Sequence, residues 1–356
     1  MKKEFLKKCF ALSMAAVLGV TALTACGSSD SDKSDSDAKA DSSDEQADSD
    51  ADAKDGEDSE SGDQASAEGS FKVGVFQYTQ HGALDEANKG FVDALEASGL
   101  DCEIDQQNAS GDSNATLTIA QKMVDDKNDL IFTIATPASQ AVAGLTTEIP
   151  IVLTAVTDPA EADLVESNEA PGGNVTGTSD MNPVEEQVAL LQELIPDAKN
   201  VAVLYCSAEA NSKLQAELVA EACEQVGITT TDYTVANSGE IQTVVESMVG
   251  KVDAIYAPTD NVIANAMATV AMIANENGIP VICGEENMVN AGGLATYSID
   301  YYKLGQKAGE MAVQILKGEA EPATMPIEYL SDSDLKLVVN QETADALGID
   351  VSGLEQ

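Results

Sequence analysis

The chain has 356 residues and a formal net charge of −44, with 62 acidic side chains against 18 basic ones. A balance that acidic argues against nucleic acid, whose recognition needs a basic footprint, and it keeps a domain soluble and self-repelling. There is no arginine or tryptophan and one histidine, His81, which excludes a histidine-rich metal site and any scheme that needs two imidazoles; no cofactor or metal is expected.

The chain opens with Lys2, Lys3, Lys7 and Lys8, followed by an apolar stretch from Cys9 to Ala25. This is the build of a secretory signal peptide over residues 1–25. Its end, "LTAC", resembles a bacterial lipobox, in which the thiol of Cys26 takes a diacylglycerol and the chain is cut just before it. Two acyl chains anchor stably where one binds only marginally. Residues 27–70 contain no Val, Ile, Leu, Phe or Tyr and are crowded with Ser and Asp. Such a tract cannot bury enough apolar area to offset its ordering entropy, so residues 26–70 are expected to be a lipidated cysteine and a disordered acidic tether.

From Phe71 the chain alternates. Strand-like runs at 72–76, 102–106, 129–134, 149–154 and 174–178 enclose helix-like stretches at 83–97, 113–126 and 137–146. After a Gly-, Asn- and Pro-punctuated break at 177–183 the pattern restarts. Strands are predicted at 200–205, 230–235, 253–257, 280–284 and 294–298, with helices at 184–194, 209–226, 239–249, 261–276 and 301–317. Short apolar runs alternating with amphipathic stretches of this length mean βαβ units and parallel sheets. Two successive sets mean an α/β chain of two Rossmann-like lobes. Cys102, Cys206, Cys223 and Cys283 show no metal spacing and read as buried free thiols that behave as small apolar residues.

Ligands of open α/β sheets bind beyond the carboxyl ends of the strands. Those ends carry "QYTQHG", "ATPASQ", "TAVTDP", "CSAEANS", "APTDN", "GEEN" and "YSIDYY", all polar, and with two lobes facing each other their common edge is a cleft. No nucleophile elbow, P-loop or zinc cluster is present, and "GGNVTG" lacks the strand-then-helix setting of a dinucleotide fingerprint.

The segments "GVFQYTQHGALDEANKGFVDAL", "TPASQ", "TAVTDP", "GGNVTGTSD", "LIPDAKNVAVLYCSAEANS", "PTDN" and "GGLATYSIDYYKLGQKAGEMAVQIL" resemble, in this order, the substrate-binding lipoproteins of ABC importers, in the branch with tryptophan- and tyrosine-binding members. The resemblance implies a type I periplasmic-binding-protein fold. Lobe 1 would comprise residues 71–178 and 300–325, lobe 2 residues 179–299 and 326–356, with three crossings as a hinge. It further implies a monomeric extracytoplasmic receptor, lipid-anchored in the cell membrane, that passes a small ligand to a permease and its ATPase. A ligand sensor of the same fold, serving a signalling system with another small solute, is the alternative.

An amino-acid ligand presents a carboxylate, an ammonium and a side chain. Without arginine, the bidentate carboxylate clamp is replaced by a helix start, and "TPASQ" supplies one: Thr136 at the cap, Pro137 at the first helical position and Ser139 within reach. Candidate partners for the ammonium are Asp158, Asp180, Asp260 and Asp300, although Asp260 could simply cap the helix after it and Asp300 could pin the hinge. Tyr78, Tyr205, Tyr297 and Tyr301 are candidate walls for a ring. Gln77, His81, Thr157, Ser207 and Thr259 complete the expected set of ligand-binding residues.

Overall fold

The structure, a computed structural model, describes residues 70–354. The signal peptide, Cys26 and nearly all of the acidic tether lie outside the described residues.

The first sheet is wholly parallel. It contains β1 (Phe71–Gln77), β2 (Cys102–Asn108), β3 (Leu130–Ile134), β4 (Ile151–Val156) and β5 (Val175–Ser179), in the order β2-β1-β3-β4-β5. Helices α1 (Gly82–Ser98), α2 (Ser113–Asp125) and α3 (Thr136–Ala143) connect its first four strands. Every residue of β3 and β4 is buried, which is why "LIFTI" and "IVLTAV" are continuous apolar runs without alternation. The edge strand β2 is half-exposed and correspondingly polar.

The second sheet contains β6 (Asn200–Cys206), β7 (Thr229–Val235), β8 (Ala254–Ala257), β9 (Val281–Cys283), β10 (Ala295–Ser298) and β11 (Lys336–Val339), in the order β11-β10-β9-β8-β6-β7. Only β11 is antiparallel, to β10. Around the sheet lie α4 (Val184–Leu194), α5 (Ala210–Gln225), α6 (Ile241–Met248), α7 (Asn261–Asn265), α8 (Met267–Glu276), α9 (Glu286–Asn290) and α11 (Gln341–Leu347). The period of two along β6 sends Val201, Val203 and Tyr205 to one face and Ala202, Leu204 and Cys206 to the other, feeding two separate cores. The remaining helix, α10 (Tyr301–Leu316), packs against α1, β4 and β5 of the first lobe.

The chain passes between lobes three times: after β5, between β10 and α10, and before β11. The last passage is later than the expected boundary at 326. Thr176 Oγ1 donates to the Met325 carbonyl at 2.7 Å, Ser179 N–H donates to the Glu328 carbonyl at 2.9 Å, and Leu330 packs on the first core. Residues 325–330 thus stay beside β5, and the chain joins the second sheet only at Lys336.

Three further details differ from the sequence reading. The helix expected over 261–276 breaks at Ala266 into α7 and α8, beside Asn265, whose side chain reaches across to Thr79. β11, α9 and α11 went unpredicted because each is only four to seven residues long, too short for a period to register. Cys206, Cys223 and Cys283 are free and buried, whereas the free Cys102 is only partly so.

Candidate ligand-binding cleft between the lobes

Each sheet reverses its strand order once. In the first the reversal lies between β1 and β3, and in the second between β6 and β8. A crevice opens at such a point, beyond the carboxyl ends of the strands. The loops there are 78–81 and 135–136 in one lobe, and 207–211 and 258–261 in the other. They face each other across three spaces.

The outermost, about 790 Å³, opens between Tyr78, Pro137 and Gln140 on one side and Glu209, Val262 and Asn265 on the other. A second space of about 180 Å³ lies between Thr136, Asp158 and Ala162 and the first turns of α5, at Asn211 and Leu214, and opens to solvent past Glu161, Lys213 and Glu217. The deepest, about 20 Å³, is walled by His81, Asp180, Asn211, Asp260, Glu285 and Tyr301, among others. Asn211 lines both of the smaller spaces.

Hydrogen bonds bridge the lobes around these spaces. His81 Nε2 lies 3.2 Å from Asn261 Oδ1. Asn265 Nδ2 donates to Thr79 Oγ1 at 2.9 Å, and Gln215 Nε2 donates to Thr157 Oγ1 at 3.0 Å. The lobes are therefore closed on each other.

Of the expected residues, Tyr78, His81, Thr136, Asp158, Asp180, Thr259, Asp260 and Tyr301 line the three spaces. The others are placed elsewhere. Gln77 is buried at the end of β1, where Nε2 donates to the Thr79 carbonyl and to Asp85. Ser139 turns back beneath α3, paired with Thr133 Oγ1 at 2.8 Å and the Ala135 carbonyl at 3.1 Å. Thr157 serves as the bridge to Gln215. Tyr205 sits in a core of the second lobe with its hydroxyl 3.3 Å from Asp232, and Tyr297 packs on the same core. Ser207 is exposed and lies against the Val235 carbonyl. Asp300 caps α10 through the Lys303 N–H at 3.0 Å and faces solvent, its side chain 41% exposed. No tyrosine of the second lobe lines the cleft among the described residues, so a ring held between tyrosines of both lobes is not what the fold provides. The apolar lining of the two smaller spaces includes Leu84, Ala155, Ala264, Ala162 and Leu214.

The start of α3 also differs from expectation. Its cap is Ala135, held at φ 82°, ψ 153°, and Thr136 is already helical. Freed from capping, the Thr136 hydroxyl is buried without a partner. At the neighbouring strand end Ala155 has φ 53°, where the register between β4 and β5 shifts. Two non-glycine residues in sparsely populated conformations, side by side at the crevice, are the kind of strain that surrounding structure maintains at binding sites.

The two buried aspartates have different environments. Asp260 accepts from Ile263 N–H (2.9 Å), Cys206 N–H (2.7 Å) and Ser212 Oγ (2.7 Å), so it is a satisfied cap. Asp180 accepts the Tyr301 hydroxyl at 2.9 Å on Oδ2, with the Thr157 hydroxyl and its own N–H as weaker neighbours, and no hydrogen bond reaches its buried Oδ1. Burial raises its carboxyl to about 6. Two further acids, which the sequence reading passed over, belong to the same region. Glu285 caps α9 and is pushed by burial to about 7. Glu209 is pushed by burial, and by Asp260 beside it, to about 8. The loops "CSAEANS" and "GEEN" pointed to both, but nothing local distinguishes a buried acid from a solvated one in so acidic a chain. No lysine lines the deepest space.

Comparison with known proteins agrees with this architecture. The profile of the ABC transporter substrate binding protein family matches residues 72–353. A tyrosine-binding protein of Clostridioides difficile (strain R20291) is 39% identical over 346 residues, which is 96% of this chain and 92% of that one. The structure of an ABC domain in complex with L-Trp from Streptococcus pneumonia is 40% identical, covers 80% of this chain and 96% of its own, and superposes with a TM-score of 0.77. A ligand-free, open substrate binding protein with adhesive properties from Clostridium difficile is 43% identical, covers 79% and 95%, and superposes at only 0.61. At similar identity, the lobes here are arranged more like those of the L-Trp complex than those of the open protein. The fold is that of the type I periplasmic binding proteins, and the chain belongs to the ABC transporter substrate binding proteins, extracytoplasmic receptors without chemistry of their own that deliver a small solute to a transporter.

Proposed function

We propose that the solute is an aromatic L-amino acid, such as tyrosine, tryptophan or phenylalanine, bound between the lobes. The observation that carries this reading is chemical. His81 Nδ1, Thr136 Oγ1, Asp180 Oδ1 and Asn211 Oδ1 are buried without partners, and their four residues line the two smaller spaces. A buried polar atom left unpaired costs about 1–3 kcal/mol, so this group is built for a polar guest. Anionic and amide oxygens at the deep end suit the ammonium. The Thr136 hydroxyl, at the positive start of α3, suits the carboxylate. Leu84, Ala155, Ala162 and Leu214 supply the apolar wall for the side chain. The ring itself is argued from the relatives: one is named for tyrosine and another holds L-Trp.

Closure performs the capture. Each interlobe hydrogen bond contributes about 1 kcal/mol net, and a ligand that pairs the orphaned atoms adds differential affinity for the closed state, which is what drives a hinge. Calorimetry with L-tyrosine, L-tryptophan, L-phenylalanine and L-leucine tests the assignment. At least one aromatic acid is expected to bind at least tenfold more tightly than leucine; no heat with any aromatic acid sinks it.

The receptor is further proposed to act as a monomer held to the membrane by lipid on Cys26, and to hand its ligand to a permease driven by an ATPase. The "LTAC" stretch supports the anchor. Cys26→Ser is expected to move the protein from the membrane fraction to the medium or to leave it at precursor size. Membrane association at mature size would show that the anchor lies elsewhere.

A further inference from the structure

Three residues that line the deepest space each carry an atom that is buried without a partner: His81 Nδ1, Asp180 Oδ1 and Asn211 Oδ1. Their neighbours fix what each can do. Asn211 Nδ2 donates to the Thr259 carbonyl at 3.1 Å, so the amide is oriented and Oδ1 is left as an acceptor. Asp180 Oδ2 takes the Tyr301 hydroxyl, leaving Oδ1 as an acceptor.

His81 is ambiguous by itself, since either ring nitrogen can carry the proton. The groups behind it remove the ambiguity. The backbone N–H of Asn261, which can only donate, lies 3.2 Å from Glu209 Oε2. The Val262 N–H likewise donates to Oε1 at 3.3 Å, and in the ionised carboxylate both oxygens only accept. The Asn261 side chain approaches Oε2 through Nδ2 at 2.6 Å, so its Oδ1 must be the end turned to His81, 3.2 Å from Nε2. An amide oxygen only accepts. Nε2 must then carry the hydrogen, and in the neutral ring Nδ1 has a lone pair. Burial supports the neutral form by lowering the affinity of His81 for a second proton below the ordinary histidine range.

We infer that Glu209 and Asn261 are positioning residues that hold His81 as an Nε2–H tautomer, so that His81 Nδ1, Asp180 Oδ1 and Asn211 Oδ1 together form a three-acceptor subsite for a primary ammonium group. The relay crosses the cleft, since Glu209 and Asn261 belong to the second lobe and His81 to the first; the subsite is complete only when the lobes are closed. Three acceptors match the three N–H donors of an ammonium. A space of about 20 Å³ admits one water-sized group, so it selects a primary amine over a methylated one. The other titratable groups facing the subsite are Asp260 and Glu285 from the second lobe and the Tyr301 hydroxyl from α10; Asp85 of α1 also acts on His81. All are neutral or anionic, and none competes with a cation.

This inference rests on the amino-acid reading of the cleft, and the test separates the two. The full-length protein has one histidine, so ¹⁵N-histidine labelling yields one pair of ring resonances. At neutral pH one protonated-type and one lone-pair-type nitrogen are expected, assigned to Nε2 and Nδ1, and L-tyrosine is expected to shift Nδ1. Asn261→Leu is expected to release the tautomer, giving averaged shifts for the two nitrogens. In parallel, 3-(4-hydroxyphenyl)propanoate, which is tyrosine without its amine, is expected to bind at least tenfold more weakly than L-tyrosine. A proton on Nδ1 in the wild type closed on L-tyrosine, or equal affinity for the two compounds, overturns the inference and leaves the receptor reading standing. If neither compound binds, tyrosine is not the solute. Methylammonium titrated into the same labelled sample then decides the subsite: a shift at Nδ1 supports it, and no shift overturns it.

Discussion

Asp180→Asn is expected to weaken binding of an aromatic amino acid at least tenfold and, at pH 7.5, to raise the melting temperature of the ligand-free protein. The two effects have one cause. The Asp180 carboxylate sits at the first crossing between lobes, 4% exposed, bonded on one oxygen to the Tyr301 hydroxyl at the second crossing and unpaired on the other. A charge-assisted bond to an ammonium contributes about 1.5–3 kcal/mol, and about 1.4 kcal/mol is a factor of ten. Asparagine fills the same volume without the charge. The Asp180 carboxyl titrates near 6 in the fold and near 3.8 otherwise. A raised carboxyl contributes its stability below the lower value and loses it as pH rises through the upper one. At pH 7.5 the ionised wild type has forfeited about 3 kcal/mol that the neutral amide retains, worth several degrees in a domain of this size. For the same reason wild-type affinity is expected to decline as pH falls through about 6, while the variant stays flat. Unchanged affinity, or a lower melting temperature, would remove Asp180 from the ligand.

Gly305→Val is expected to destabilise the protein by about 3 kcal/mol or more, the upper range for overpacking, as read by chemical denaturation. Helix α10 returns to the first lobe only after all of the second lobe but β11 and α11 has been laid down, and it must lie directly on α1. Gly90 and Gly305 make that approach possible. A Cβ on Gly305 would run into the Ala87 carbonyl oxygen, and one on Gly90 into that of Tyr302. These obstacles are backbone atoms that no rotamer change can move aside. Separating the helices would uncover Phe91, Leu304 and Ala308 and would shift Tyr301 and Asp180 with them, so binding should fall together with stability. A melting temperature within a degree or two of wild type would show that the two helices have room to spare.

Much of the architecture is written locally. Runs such as "LIFTI" and "NVAVLY" mark buried strands, and helix periods between them mark βαβ units, because burial on both faces leaves no choice of residue type. The strand-end loops were therefore identifiable as the rim of a cleft, and eight of the expected residues do line it. The capping role of Asp260 was also legible as an alternative in "PTDN", since a cap acts over three residues.

Which rim residues face a guest is a tertiary matter. Asp180, Asp260 and Asp300 occupy equivalent places in their loops. One is saturated by backbone N–H groups from two elements, one is turned to solvent, and one is buried with an oxygen unpaired. No local pattern separates these outcomes, because each depends on what the other lobe or a distant strand brings within 3 Å. The tautomer of His81 depends on Glu209 and Asn261, which lie more than a hundred residues away in the chain and in the opposite lobe. Composition and period determine where strands and helices form because those are short-range properties of the chain. The pairing of polar atoms across a closed cleft depends on the positions of two separately built sheets, and only the folded structure supplies those.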